Sequence, residues 1–377
     1  MKRDNRPARL LALLAALASL AAFVPAAASA SVDWVVNGRG FGHGVGMSAY
    51  GAYGYALHGK GYRFILGHYY TGTTVGTFDK PSSIRVLLGA SSGDVGFSGA
   101  TSACRVKLDP ARNYEAHRIG NAVRLRSSGG KLLAKCGAKL RAAGNGRVSI
   151  AGYGTYRGAL EAVPGGGTLD VVNALALEQY AKGVMPNEVP PSWPTEELKA
   201  QAVAVRSIAL TSDVGGSVFD VYNDTRSQVY KGLESEYAST NAAVEATRSQ
   251  VVLYKGQVAQ TLYSACSGGH TESAVNVFGY AVPYLVGVTD PYDDACPLHT
   301  WTLKFSGPEI SSRLSGYLDG KLKRVVITKT GVSPRIISAM LIGTGGTTTV
   351  SGSELESALG GYDTWMSFEK VVSGRNG

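Results

Sequence analysis

Residues 173–206 read NALALEQYAKGVMPNEVPPSWPTEELKAQAVAVR and place one acid, Glu188, between two predicted helices. The flanking residues Met185 and Pro190 are apolar, so we expect the carboxyl group to be partly shielded from water. Burial raises the pKa of a carboxylic acid, and a raised pKa suits the group to donate and accept a proton near neutral pH. The segment therefore predicts a general acid or base at position 188.

The two helices are predicted from their end signals and their periodicity. A strand at 169–172 leads into a short helix around 175–184, and a second helix begins close to Pro194. Proline suits the first turn of a helix, and Glu196 and Glu197 are favourable near the helix N-terminus. Apolar residues at helical spacing then predict a buried stripe, formed by Leu198, Ala202, Val205 and Ala209.

The first thirty residues have the pattern of an export signal. A basic segment that includes Lys2 and Arg3 precedes an apolar run at 10–24, and residues 28–30 (Ala-Ser-Ala) offer a cleavage site. The alternative is an uncleaved membrane anchor, although this run is short for a bilayer span of roughly 20 residues. No later segment is long and apolar enough to cross a membrane. We therefore expect a mature protein that is secreted or resides in the cell envelope.

The 377 residues carry a formal net charge of +9, and removal of the signal leaves +6 because four Lys or Arg and Asp4 are lost. A mildly basic exported protein is compatible with an anionic cell wall or membrane surface. The Lys and Arg are expected to be scattered, and no nucleic-acid-binding motif accompanies them. The sequence therefore predicts no nucleic-acid partner.

The four cysteines form two groups that are local in sequence. In an exported protein an even number of cysteines favours disulfides, and pairing of Cys104 with Cys136 and of Cys266 with Cys296 is the simplest connectivity. A rival hypothesis for the second group is a zinc site made by Cys266, His270, Cys296 and His299.

Glycine-rich breaks divide the chain into four predicted regions. They are a signal peptide at 1–30, a Gly- and Tyr-rich segment at 31–78, a β-rich lobe at 79–165 and a catalytic core at 166–377. Short strands separated by Gly turns characterise the lobe, and Pro-Gly-Gly-Gly at 164–167 marks its end. Helices mixed with mostly antiparallel strands predict an α+β fold class.

Residues 37–47 read NGRGFGHGVGM, with glycine at alternate positions around His43. Alternate glycines let a backbone turn tightly and a ligand approach closely, so we expect His43 in an open groove; the alternative is a structural hydrogen bond. Nucleotide binding is not predicted. No register satisfies G-x-G-x-x-G, and the near P-loop at 54–60 is followed by Gly61 instead of the Ser or Thr that holds magnesium. No cofactor is expected.

The stretch at 40–50 and several later segments all match the motifs of one known family. The later segments are Asn173-x-Leu-x-Leu-Glu178-x-Tyr180-x-x-Gly183-Val184, Glu188, Trp193-Pro194, Leu198 to Arg206, Gln228-Val229-Tyr230-x-Gly232, Ser267 to Glu272 and Pro283-Tyr284-Leu285. Together they resemble the SpoIID/LytB family of peptidoglycan-active, sporulation-related proteins over nearly all of the mature chain. The resemblance implies a SpoIID-like mixed α/β core that carries the β-rich lobe as an insertion.

Catalytic members of this family are similar to lytic transglycosylases, which cut the bond between N-acetylmuramic acid and N-acetylglucosamine in glycan strands. The resemblance implies that Glu188 is the catalytic acid. One carboxyl group suffices if it protonates the leaving oxygen and then takes the proton of the sugar's own 6-hydroxyl, whereas an ordinary glycosidase needs a second carboxylate. The alternative for Glu188 is a loop acid that binds the first amides of the next helix. The rival function is a non-catalytic glycan binder that enhances a separate cell-wall amidase.

The other predicted site residues are substrate contacts. Besides His43, they are Arg206, Tyr180, Tyr230, Ser267, Gly268 and His270. Arg206 is expected one layer from Glu188, to bind a substrate carboxylate or acetamido group or to orient the acid; its alternative is a solvated helix face. The two tyrosines are expected to stack on sugar rings or, alternatively, to lie in the core. The segment at 267–270 is expected on the groove wall.

Two features depart from the family pattern. In many relatives the Gly-His-Gly stretch lies near the C-terminus, whereas here it opens the mature chain. We therefore expect a circularly permuted order in which residues 33–70 pack beside 365–372, since the termini of compact domains often lie close together. Some spore-forming relatives carry zinc ligands before the Gln-x-Tyr-x-Gly stretch, but residues 220–227 hold no Cys or His, so zinc is not expected.

Overall fold

The computed structural model describes residues 31–78 and 82–373, and the predicted signal peptide lies outside them. Elements are numbered in chain order. The helices are α1 (Ala49–Leu57), α2 (Tyr62–Tyr69), α3 (Leu177–Glu188), α4 (Thr195–Leu210), α5 (Ala238–Ala246), α6 (Ala274–Phe278), α7 (Gly307–Arg313) and α8 (Gly352–Leu359). Together with the strands below they confirm the α+β class. In the described part of the chain, no helix combines the length and hydropathy that a membrane span requires.

One ten-stranded sheet contains the predicted β-rich lobe. Its strands are β4 (Ser83–Ser91), β5 (Val95–Ala103), β6 (Val106–Lys107), β7 (Tyr114–Ile119), β8 (Ala122–Ser127), β9 (Leu132–Gly137), β10 (Leu140–Ile150), β11 (Gly154–Gly165), β12 (Thr168–Ala176) and β13 (Val221–Tyr222). They pair in the order β13-β4-β12-β11-β10-β5-β7-β8-β9, with β6 on β5. Pro164 and Gly165 pair with Leu169 and Thr168, so the predicted boundary at 165/166 falls in a hairpin of this continuous sheet.

A layer of three helices follows β12. α4 packs against both α3 and α5, and its predicted apolar stripe is buried. Arg206 of α4 is also fully buried, where it donates to both carboxylate oxygens of Glu178 in α3 at 2.7–3.1 Å. Its remaining hydrogen bonds reach Ala202, Val244 and Thr247. Arg206 therefore fastens three helices together and is neither the expected substrate contact nor a solvated residue.

The Gly- and Tyr-rich segment at 31–78 packs on the core. Its first strand, β1 (Ser31–Arg39), lies between β17 (Thr300–Ser306) and β21 (Met366–Ser373), and β1 is antiparallel to each of them. The expected proximity of residues 33–70 to 365–372 is thus present as the β1–β21 pairing. Two further contacts anchor this segment: β2 (Met47–Ser48) pairs with β16 (Tyr263–Ser264), and β3 (Thr74–Thr77) pairs with β14 (Gln250–Tyr254), which also pairs with β15 (Gln257–Val258).

The C-terminal part has an apolar core of its own. It is built from β18 (Leu322–Thr330), β19 (Ile336–Gly343) and β20 (Thr347–Ser351) with α7 and α8, and Trp34 and Trp301 are buried in it. The last helix of this part is α8. Ser351 begins it with a capping box, in which Ser351 accepts from the amide of Glu354 and the Glu354 carboxylate accepts from the amide of Ser351.

Both sequence-local disulfides are present, Cys104–Cys136 and Cys266–Cys296. The zinc hypothesis for Cys266, His270, Cys296 and His299 is therefore wrong, because a disulfide leaves no thiolate to bind the metal. Within residues 31–78 and 82–373 no cysteine is free.

Replacement of Arg206 by alanine is expected to lower the free energy of unfolding by about 3–5 kcal/mol, because the partly buried Glu178 carboxylate loses its charged partner and the fully buried arginine leaves a cavity. The double variant Arg206→Met with Glu178→Gln, which leaves no unpaired charge, should lose clearly less. Urea unfolding of the three proteins measures both effects. If the alanine variant kept its stability but no longer bound glycan, Arg206 would be a substrate contact after all.

Glu197 of α4 is fully buried, and neither of its carboxyl oxygens has a hydrogen-bond partner among the described residues. Burial raises its pKa well above the usual range, so the folded protein holds a proton that the unfolded chain releases. The stability from this group is complete below a pH of about 4.3 and declines as the pH rises toward the folded pKa.

Glu197→Gln is expected to remove this pH dependence. Between about pH 5 and pH 7 the wild type should lose up to about 1.4 kcal/mol per pH unit more than the variant. Chemical unfolding at several pH values tests the difference, with Glu309→Gln as a control because Glu309 is an exposed helix residue. Parallel stability curves for the wild type and Glu197→Gln would mean that Glu197 is charged in the folded protein.

Candidate active site

Glu188 lies in a cleft of about 540 Å³ whose walls come from distant parts of the sequence. The lining residues are Phe41, Gly42, His43, Ala49, Glu188, Ile208, Ser212, Val214, Thr225, Arg226, Ser227, Val229, Gln260, Leu262, Tyr263, Ser264, Ala265, Phe278 and Tyr280. Glu188 is the one acid in this set. The predicted acid and the predicted Gly-His-Gly stretch therefore face the same cavity.

The carboxyl group of Glu188 stands at the last residue of α3 rather than in a free loop. The helix continues through Pro186, and the amide of Val189 still bonds the carbonyl of Met185. Burial raises the pKa of Glu188 above its ordinary value. The C-terminus of a helix carries partial negative charge, which disfavours a carboxylate in the same direction. The side chain is half-buried, so it is shielded yet still reaches the cleft.

Two hydrogen bonds fix this carboxyl group. The amide of Val229 donates to Oε1 at 2.7 Å, and the hydroxyl of Tyr263 forms the second bond. Both donors favour the charged form and partly oppose the effect of burial on the pKa. Tyr263 is in turn fixed by Gln228, whose Nε2 donates to the tyrosine hydroxyl at 2.9 Å. The acid is therefore held in one orientation by two neutral donors.

The Gln-x-Tyr-x-Gly stretch delivers the Val229 amide because it packs closely on α3. Tyr230 is buried, and its hydroxyl donates to Asn173 of β12 at 2.7 Å. Gly183 of α3 allows this approach, since a Cβ there would overlap the ring of Tyr230. Tyr180 is also buried, stacks on Tyr230 with ring centroids 5.4 Å apart and donates to Gln228. These two tyrosines are core residues that support the site, so the expectation that they stack on sugar rings is wrong.

His43 also lines the cleft. Its Nδ1 accepts the amide of Val45 at 3.0 Å, and the ring also hydrogen-bonds the backbone of Tyr263. Burial, followed by the charge of Arg335, lowers the pKa of His43 to about 4. The imidazole is therefore neutral near pH 7, with its proton on Nε2 because Nδ1 is an acceptor.

Alternate glycines make this position of His43 possible. Gly42 and Gly44 have φ values of +105° and +69°, which residues with a Cβ rarely adopt. A Cβ at Gly44 would overlap the buried guanidinium of Arg335, and one at Gly46 would overlap the carbonyl of Leu262. The stretch can therefore press against two other segments while His43 turns toward the cleft.

The loop at 267–270 does not line the cleft. Ser267 is fully buried and donates to Asp290 at 2.7 Å and Asp293 at 3.0 Å. Gly268 donates from its amide to Asp293, and Nδ1 of His270 bonds the carbonyl of Thr271 at 2.6 Å. The expectation that these three residues contact substrate is not met in this conformation, because their polar groups serve the fold; Ser264 and Ala265, just before them, form the wall instead.

Several cleft residues were not predicted from the sequence. Tyr263 carries no local signal beyond its place in a short strand. Three aromatic side chains at the cleft are exposed, Phe41 (44%), Phe278 (38%) and Tyr280 (50%), and the Phe278 ring contacts His43. Arg226 is exposed as well and pairs with Asp224. The only sequence signal for these residues is the presence of aromatic side chains beside glycine, at Gly40-Phe41-Gly42 and Phe278-Gly279-Tyr280.

Comparison with known proteins places the acid inside a region that matches a defined family. A model of the family described as SpoIID, stage II sporulation protein, matches residues 165–254. Over these residues the chain is similar to the SpoIID/LytB family. The matched region contains Glu188 and the Val229 amide that binds it, whereas His43, Tyr263 and Phe278 lie outside the match.

Individual relatives cover different shares of the chain. It is 47% identical to an uncharacterized protein of Brachyspira hyodysenteriae over 165 residues, which are 43% of this chain and 45% of that protein. It is 41% identical to the amidase enhancer of Bacillus subtilis over 132 residues, 35% of this chain and 18% of the relative. It is 28% identical to stage II sporulation protein D of Bacillus subtilis over 230 residues, 56% and 62% of the two chains. The matches thus span less than two thirds of each of these relatives.

Tyr263→Phe is expected to raise the pKa of Glu188 further, since the charged carboxylate loses one of its two hydrogen-bond donors. Titration of the Glu188 carboxyl carbon by NMR measures the shift. Tyr180→Phe is the matched control, because its hydroxyl contacts Gln228 and should change the pKa much less. Equal shifts in the two variants would show that the Tyr263 bond does not control the acid.

Proposed function

We propose that this protein is an exported lytic transglycosylase that cleaves MurNAc-GlcNAc bonds in peptidoglycan glycan strands, with Glu188 as its single acid and base. The observation that carries the proposal is the half-buried Glu188 carboxyl group, which has a raised pKa and faces a cleft lined by no other acid among the described residues. Similarity to the SpoIID/LytB family supports the choice of glycan strands as substrate.

The proposed reaction uses one carboxyl group twice. Protonated Glu188 gives its proton to the glycosidic oxygen as the bond from that oxygen to C1 of the muramic acid breaks. The 6-hydroxyl oxygen of the same sugar then bonds to C1, and its proton passes to the Glu188 carboxylate, which restores the acid. The products are a 1,6-anhydromuramyl end and a free N-acetylglucosamine end. No water is consumed, so the second carboxylate of a hydrolase is not needed.

The walls of the cleft suit a glycan strand. Phe278 and Tyr280 stack with ring centroids 6.0 Å apart and present exposed aromatic surface on which the apolar face of a sugar can pack. Arg226 offers a cation to the lactyl carboxylate of muramic acid, because its guanidinium is at the surface, where it pairs with Asp224 and lies over the Tyr222 ring. Neutral His43 adds a polar group without adding charge next to the acid.

The second candidate is a glycan binder that enhances a cell-wall amidase without cutting the strand itself. The relative named amidase enhancer favours it, at 41% identity over 132 residues. Binding and cutting would use the same cleft. The presence of Glu188 favours the enzyme, because a protein that only binds glycan does not need an acid at this position. We further propose that the N-terminal Gly-His-Gly segment is a circular permutation of the family order, since β1 is held beside the C-terminal strand β21.

Glu188→Gln is expected to lower glycan cleavage by on the order of 10³-fold or more, since the amide can neither give nor take the proton. The assay is the release of anhydromuramyl products from purified glycan strands, detected by mass spectrometry. Wild-type activity should fall as the pH rises through the raised pKa of Glu188, because the first step needs the protonated acid. Glu309→Gln, an exposed acid on α7, is the matched control and should retain activity.

Two results would reject the enzyme. Strands left uncut by the wild type, while a purified amidase is accelerated equally by wild type and Glu188→Gln, would establish the enhancer. Reducing ends without anhydro rings would instead indicate hydrolysis by water, which the single-carboxylate cleft does not explain.

A further inference from the structure

The net charge of the chain is concentrated in one part of the fold. Residues 95–150, which form β5 to β10, contain eleven Lys or Arg and only two acids, Asp109 and Glu115. Their formal charge is +9, and the remaining 26 Lys or Arg are balanced by 26 Asp or Glu, from totals of 37 and 28. The expectation that the basic residues are scattered is therefore wrong. We call residues 95–150 the basic lobe.

Most cations of the basic lobe have no acidic partner among the described residues. Arg112 pairs with Asp109, and Arg126 lies 3.9 Å from Asp94. Lys139 and Arg141 both pair with the buried Glu161. The cations outside these pairs are Arg105, Lys107, Arg118, Arg124, Lys131, Lys135 and Arg147. None of the cleft-lining residues belongs to the basic lobe, so its charge does not serve the acid at position 188.

The sheet places like charges directly opposite each other. Arg124 of β8 pairs in register with Lys135 of β9. Like charges at opposed positions on neighbouring strands repel, and the fold gains nothing from them. A row of cations kept despite this repulsion indicates an anionic ligand that would relieve it.

A second observation comes from a pocket beside the Cys104–Cys136 disulfide. Its volume is about 590 Å³, and three cations line it, Arg105, Lys139 and Arg141. The turn that carries Arg105 is strained, because Cys104 and Arg105 have φ values of +50° and +67° without being glycine. The disulfide fixes this turn to β9, and the exposed Arg105 lines the pocket.

We propose that the basic lobe binds an anionic polymer of the cell envelope, whose phosphodiester or carboxylate oxygens enter the Arg105 pocket and follow the Arg124–Lys135 row. A chain with repeated charges can fill a pocket and continue along a row of cations, which a flat membrane surface cannot do. Nucleic acid is disfavoured because Phe97 and Tyr114 of the lobe are buried and cannot stack on bases. The lobe thereby retains the protein on the wall, and its binding is independent of glycan cleavage.

The test uses the full mature chain and three probes: poly(glycerol phosphate), polyglutamate and neutral dextran. Wild type should bind one or both anionic polymers and not dextran, more weakly at about 200 mM than at about 50 mM salt because binding releases counterions. Binding of poly(glycerol phosphate) alone would identify phosphodiesters as the ligand, and binding of polyglutamate alone would identify carboxylates. Binding of neither would overturn the proposal, as would tight binding to phosphatidylglycerol vesicles without either polymer.

The variant Arg105→Asn, Arg124→Gln, Lys135→Gln should bind at least about tenfold more weakly at about 50 mM salt. It should fold normally, because asparagine tolerates the left-handed turn and the two glutamines remove a repulsion. Its matched control is Lys321→Gln, Lys323→Gln, Arg324→Gln, which removes three exposed cations at the start of β18. Equal losses in the two variants would show that net charge alone drives binding and would overturn the assignment to the lobe. Unchanged glycan cleavage in the lobe variant separates this result from a failure of the proposed reaction.

Discussion

The site depends on how one carboxyl group is held at the end of α3. Burial disfavours the charge on Glu188, while the Val229 amide and the Tyr263 hydroxyl stabilise it, and the net effect is a pKa above the ordinary value. A cation in direct contact would remove this balance by favouring the carboxylate. Arg206 of α4 is instead fully engaged with Glu178 inside the helix layer. The ion pair therefore gives the helices their relative position, and the arginine is not available to Glu188.

Residues from several segments are needed to hold the Glu188 carboxyl group in one position. Val229 reaches Glu188 only because Tyr230 is packed against Gly183 and bonded to Asn173, which ties the loop to both α3 and β12. Tyr263 is fixed from the other side, by the Gly-His-Gly segment, whose His43 bonds its backbone. Side chains that carry catalysis need support from packed neighbours, because a looser carboxyl group would spend less time in the productive orientation.

The sequence predicted the acid, the helices on either side, the two disulfides and the α+β class, since these follow from local signals such as end residues, periodicity and cysteine spacing. It did not predict which polar or aromatic residues turn inward. Tyr180, Tyr230 and Arg206 belong to motifs that suggested a substrate site, yet all are core residues. Whether a tyrosine faces a cleft or a neighbouring helix depends on the third segment that packs on it, and that segment is remote in sequence.

The same limit applies to charge, and here the outcome bears on how the protein works. A count of Lys and Arg along the chain gives a modest excess, whereas the sheet collects eleven of them on β5 to β10 and the connections between these strands. Because the remainder of the chain is neutral overall, the cleft is spared a strong positive field that would lower the pKa of Glu188. A lobe that carries the charge and a core that carries the acid can thus each be tuned separately, since attraction to an anionic surface grows with the number of cations while a raised pKa at Glu188 is favoured when most of them are distant. Many cations and an acid with a raised pKa conflict when they share one surface, and they are compatible when the fold places them in different parts of the molecule.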